Sequence, residues 1–203
     1  RMLDRKEQPK LALDIKARFH DDDMKSYNTI AEIPGTDRNG EVVMVGAHLD
    51  SWHASDGAVD NGAGVAVAME AVRILAKLKV KPKRTIRVAL WSGEEQGLYG
   101  AAHLAKRAKQ EGWNVVAMIT NDIVGNTYGG ETDLKDNTSV RVFSEGVPVT
   151  ETKQEGNTRI AVGGENDSPA REFARYVKEV AERYVSQLNV KLMFRLHSDG
   201  LHV

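Results

Sequence analysis

The sequence predicts an α/β fold in which a sheet is covered by helices. Short apolar runs alternate along the chain with amphipathic helical patterns, the order expected of strands and the helices that cover them. Several runs are continuous rather than alternating, as in strands buried on both faces. A length of 203 residues with 41% apolar side chains is enough for one sizeable core, so a single domain over 1–203 is expected.

The elements follow in order. Residues 27–33 read as a strand closed by Pro34-Gly35 and Asn39-Gly40, and 41–47 (EVVMVGA) as a second, buried strand that points at His48. From Asn61 the run GAGVAVAMEAVRILAKL places Val65, Met69, Val72 and Leu75 or Ala76 near helical spacing, with Lys81-Pro82 as the stop. A strand over 85–91 (TIRVALW), a helix over 97–110 and a buried strand over 115–120 (VVAMIT) come next. Residues 129–168, rich in Gly, Thr, Asn, Asp and Glu, are expected as a surface insertion with one strand candidate at 140–143. Ser168-Pro169 opens a helix to about Gln187, and 190–194 form the last strand. Arg1 is no initiator and the chain stops at Leu-His-Val, so both ends are expected to be trimmed.

Charge narrows the function. Lys plus Arg total 28 against 29 for Asp plus Glu, which leaves no electrostatic footprint for nucleic acid or an anionic membrane. No run approaches the roughly 18 apolar residues of a membrane span. Cysteine is absent, so a metal would have to be held by His and carboxylates.

Four strand or helix ends carry candidate chemistry, where ligands of open α/β sheets gather. In His48-Leu49-Asp50 an imidazole can take a metal while a nearby carboxylate orients its other ring nitrogen. Asp60 lies in Asp60-Asn61-Gly62-Ala63-Gly64, where glycines admit close backbone approach and one carboxylate can bridge two cations. Glu94-Glu95, between Gly93 and Gly97, are adjacent carboxylates that repel unless something positive lies nearby. One can ligate a metal while the other moves a proton. Asp122 ends the run VVAMIT-Asn121. Each alone has a plainer reading: a solvated loop, an N-cap, a surface pair, a turn residue. All four falling on one rim, with no competing basic cluster, favours a metal site.

GAHLDSW, DGAVDNGAGVAVAMEAVRIL, RTIRVALWSGEEQGLYGA and ITNDIVGN resemble the successive signature blocks of the M28 metallopeptidases, of the aminopeptidase and plasma glutamate carboxypeptidase kind. The spacings, 12 from His48 to Asp60, 35 to Glu95 and 27 to Asp122, fit that family's order. The resemblance implies two Zn(II) ions per chain, shared out between His48 and Asp122 with Asp60 bridging and Glu95 ligating. It implies Glu94 as general base, Asp50 as the carboxylate behind His48, and a mostly parallel twisted mixed sheet of about eight strands between helices. The implied activity is that of an exopeptidase, an aminopeptidase or dipeptidase acting on a peptide, in a secreted or periplasmic setting. A single-zinc glutaminyl cyclase on the same fold and a non-catalytic peptidase-like binding domain are the alternatives.

The family also needs a second histidine ligand near the end of the domain, and His197, 75 residues beyond Asp122, is preferred to His202. The block that relatives carry between the last strand and that histidine does not fit here. His20, His53 and His103, with Trp52 and Tyr99, are expected outside the site.

Overall fold

The computed structural model describes residues 3–5, 10–129 and 133–197. Its main sheet has four strands: β1 (Thr29–Ile33), β2 (Arg38–His48), β3 (Arg84–Trp91) and β4 (Asn114–Thr120), in the order β1-β3-β2-β4. β1 runs antiparallel to β3, whereas β2 is parallel to both β3 and β4. The three parallel strands therefore end on the same edge, at His48, Trp91 and Thr120.

Side-chain alternation sorts the two faces. α1 (Ala63–Lys77) sets Val65, Ala68 and Val72 against Ala47, Val88 and Leu90. α2 (Tyr99–Gln110) sets Ala101 and Leu104 against Val42, Met44, Ala89 and Trp91 on the opposite face. The sheet thus lies between helices, as expected. A Cβ on Gly46 would fall 2.1 Å from the Trp91 ring, so only glycine lets that indole cross β2 just before His48. α1 is shorter than its pattern suggested: Lys79, with a φ of 52°, turns the chain left-handed before Lys81-Pro82 is reached.

Past β4 the chain forms a short antiparallel pair, β5 (Tyr128–Gly129) and β6 (Leu134–Lys135), and then β7 (Ser139–Glu145). α3 (Lys153–Ala161), α4 (Pro169–Tyr184) and β8 (Asn189–Arg195) follow, with β8 parallel to β7 along all seven positions. Ser168 caps α4 by accepting from the Arg171 N–H, as its place before Pro169 suggested.

Within 129–168, expected as a surface insertion, the strand candidate at 140–143 lies in β7. β7 is a sheet strand with Ser144 buried, Val147 behind it is 5% exposed, and α3 starts with a reciprocal Thr152–Glu155 capping box. The expected sheet of about eight strands is met only in part: the described strands fall into one sheet of four and two pairs. Among the described residues, no helix is long and apolar enough to cross a membrane.

Candidate metal centre

His48, the last residue of β2, is 1% exposed, and both of its ring nitrogens are committed. Nδ1 lies 2.9 Å from the backbone carbonyl of Asp50 and 3.6 Å from that residue's carboxylate. Nε2 faces two carboxylates, Asp60 Oδ1 at 2.9 Å and Asp122 Oδ1 at 3.5 Å. With Nδ1–H donating to the carbonyl, Nε2 turns a lone pair toward two anions, an arrangement that calls for a proton or a cation between them.

Asp60 reaches this point because it is not a cap. The chain enters through Gly57, whose φ of 64° is left-handed and whose Cβ would meet the Ser51 hydroxyl at 2.8 Å. It then turns through Ala58–Gly62 into α1. The capping contact at the start of α1 is made instead by Asn61, whose Oδ1 accepts from Gly64 N at 3.2 Å. Asp60 is left free to face His48.

Glu94 and Glu95 sit on the loop leaving β3. The Asp50 carboxylate clamps both, its Oδ1 accepting from Glu94 N at 3.1 Å and its Oδ2 from Glu95 N at 3.0 Å. So the carbonyl of Asp50 orients the imidazole, while its carboxylate sets the two adjacent glutamates. His48, Asp60 and Glu95 each offer one ligand atom, all within 4.8 Å of one another. Glu95 Oε1 and Asp122 Oδ1 are buried without a hydrogen-bond partner. Orphaned anionic acceptors at that density, with an imidazole and no thiolate, fit zinc, which takes nitrogen and carboxylate ligands.

Electrostatics agree with the geometry. Burial lowers the His48 pKa, but the Asp122 carboxylate 3.5 Å from Nε2 and the charges of Glu94 and Asp50 outweigh it, pushing the imidazole up to about 9. Asp60 is nearer but 40% exposed, against 19% for Asp122, so water screens it more. Glu94 is raised by burial and by the carboxylates of Asp122, Glu95 and Asp50; Glu95 is raised by burial and by Asp60 first among its neighbours.

His197 stands exposed just past β8, outside the His48–Asp60–Glu95 group. His202 lies outside the described residues. His20, His53 and His103 are exposed, Trp52 likewise, and Tyr99 lays its ring over Gly93 and Gly97 on the glutamate loop. Asn61 was missed by reasoning from sequence; its only signal was an amide placed between Asp60 and the glycines that open α1.

Residues 28–202 match the family model for Peptidase family M28. The chain belongs to peptidase family M28. A probable zinc metalloprotease of Leptosphaeria maculans is 41% identical over 177 residues, covering 83% of this chain and 40% of that protein. This M28 chain therefore spans about 40% of the length of that relative. Among solved structures, the LapA aminopeptidase of Legionella pneumophila superposes with a TM-score of 0.62 at 22% identity, over 86% of this chain and 40% of that one. A glutaminyl cyclase of Macrostomum lignano superposes with a TM-score of 0.53 at 18% identity, over 84% of this chain and 54% of that one. At such identities both likenesses concern the fold, which an aminopeptidase and a cyclase share, so the reaction has to be argued from the site.

Proposed function

We propose that this chain carries the co-catalytic di-zinc centre of an exopeptidase that hydrolyses peptide bonds near a free terminus. The observation that carries the reading is the convergence of His48, Asp60, Glu95 and Asp122, two of them with orphaned buried oxygens, beside Glu94, whose backbone N–H the Asp50 carboxylate holds as it holds that of Glu95. His48 and Asp122 would be shared out between the two ions and Glu95 would be a further ligand, with Asp60, whose Oδ1 lies 2.9 Å from His48 Nε2, as the carboxylate that would serve both. His197 is kept as the fifth ligand on chain order alone.

When bound, the zinc pair supplies Lewis-acid polarisation of a carbonyl and a more acidic water. The chain's own residues do the rest. Glu94, its carboxyl raised by burial and neighbouring carboxylates, takes the attacking water's proton and returns it to the departing nitrogen. Asp50 fixes Glu94 and Glu95 by their amides, so the base stays beside the ligand without binding in its place. Homologues named as probable zinc metalloproteases support a peptide substrate.

Hydrolysis of aminoacyl-p-nitroanilides and dipeptides by the zinc-loaded protein tests the reading. Release of p-nitroaniline or amino acid is expected. Cyclisation of an N-terminal glutamine with one zinc per chain would replace it with the cyclase reading, and binding of peptide without turnover would leave only a binding domain.

A further inference from the structure

The proposed metal ligands come from four separate segments: the end of β2, the turn before α1, the loop after β3 and the end of β4. One side chain joins two of them. Asn61 is 2% exposed, its Nδ2 donates to the Asn121 carbonyl at 2.8 Å, and its Oδ1 accepts from Gly64 N. Asn121 in turn donates its backbone N–H to the Gly46 carbonyl at 2.8 Å, two residues before His48.

We propose that Asn61 is a positioning residue that sets the separation of Asp60 and Asp122 across His48, and through it the zinc affinity of the centre. The inference rests on the metal-centre reading and deepens it. Asn61 adjoins Asp60 in the chain, and its amide ends on the residue that adjoins Asp122. Both of its hydrogen bonds are therefore applied one residue from a carboxylate facing the imidazole. The two carboxylates repel in the metal-free protein, and a tether between their neighbours holds them in place before an ion arrives. Gly64 belongs to the same device, because a Cβ there would fall 2.2 Å from Asn61 Oδ1 and 2.4 Å from the Asn121 carbonyl. Nothing about the helix itself requires glycine at that position, where alanine is the better helix former.

Two variants separate positioning from mere support of the fold. Asn61→Ser keeps a hydroxyl that accepts from Gly64 N but is too short to reach Asn121. Gly64→Ala keeps Asn61 and displaces its amide. The control is Val88→Ala, which opens a gap in the core between β3 and α1 and touches no ligand. Zinc dissociation constants are measured for each protein by competition with a chromogenic chelator, alongside the thermal midpoint of the metal-free form. Asn61→Ser and Gly64→Ala are expected to weaken zinc binding by about tenfold or more, the worth of one buried hydrogen bond. Val88→Ala is expected to lower the midpoint and leave the zinc constants unchanged. Wild-type zinc constants in both Asn61→Ser and Gly64→Ala, whatever their midpoints, would overturn the positioning role while leaving the metal centre standing. A wild-type protein that binds no zinc would overturn both.

Discussion

On the proposed metal centre, zinc has to displace a proton from His48, and the size of that penalty can be worked out. In the metal-free site the imidazole is pushed up to about 9, so near pH 7 it is about 99% protonated, while the ligand form is neutral. Each pH unit below the pKa then weakens apparent zinc affinity about tenfold, which amounts to roughly 80-fold between pH 9.5 and 7. A histidine at its ordinary value would change by less than about twofold over the same range. Chelator competition across that range measures the slope. Calorimetry near pH 7 in buffers of different ionisation enthalpy counts the protons, and about one per zinc bound at His48 is expected. The metal-free fold carries the same signature. A raised His48 contributes stability that is complete below 6.5 and lost as pH rises through about 9, up to about 3 kcal/mol. Glu94 and Glu95, also raised, act in the same sense at lower pH. The metal-free protein should therefore unfold more easily at pH 9.5 than at pH 6. A zinc constant that stays flat from pH 7 to 9.5 would contradict this, because Asp122, Glu94 and Asp50 would then not be holding a proton on the imidazole.

The remaining predictions concern single groups. Glu94→Gln should cut turnover by about 10²- to 10⁴-fold with zinc content unchanged, whereas Glu95→Gln should lose metal; elemental analysis after dialysis separates the two. Asp60→Asn should lower the affinity of both metal positions, since an amide has one good acceptor oxygen, and loss of a single ion by titration calorimetry would contradict bridging. His197→Ala should reduce two zinc ions per chain to one if His197 is the fifth ligand, and equal metal content would rule it out.

The site was more legible in the sequence than its scaffolding. EVVMVGA and TIRVALW are runs covered by sheet and helices, whereas VVAMIT, expected to be buried, leaves Val115, Val116, Met118 and Ile119 exposed at the sheet edge; a run that stops at His48, before Glu94 or before Asp122 still marks a strand end. The connections between those ends are another matter. The clamp of Asp50 on the Glu94 and Glu95 amides spans 44 and 45 residues, and the Asn61–Asn121 tether spans 60, so no local pattern encodes them. Sequence reasoning also gave the Asp50 carboxylate the task of orienting His48, which the nearer Asp50 carbonyl performs at 2.9 Å. The helix α3 was invisible for a different reason. KQEGNTRIA is mostly polar with an interior glycine, and Gly156 is there because a Cβ would fall 2.9 Å from Val147 Cγ1. Close packing that demands glycine reads, one residue at a time, as a loop.

Anomalous diffraction from a crystal of the chain grown with zinc, recorded on both sides of the zinc edge, tests the central claim most directly. Two anomalous peaks joined by the Asp60 carboxylate are expected, one of them about 2.0–2.1 Å from His48 Nε2, with Glu95 and Asp122 ligating and Glu94 bound to neither. Peaks that avoid His48, or a Glu94 oxygen within bonding distance of an ion, would contradict it.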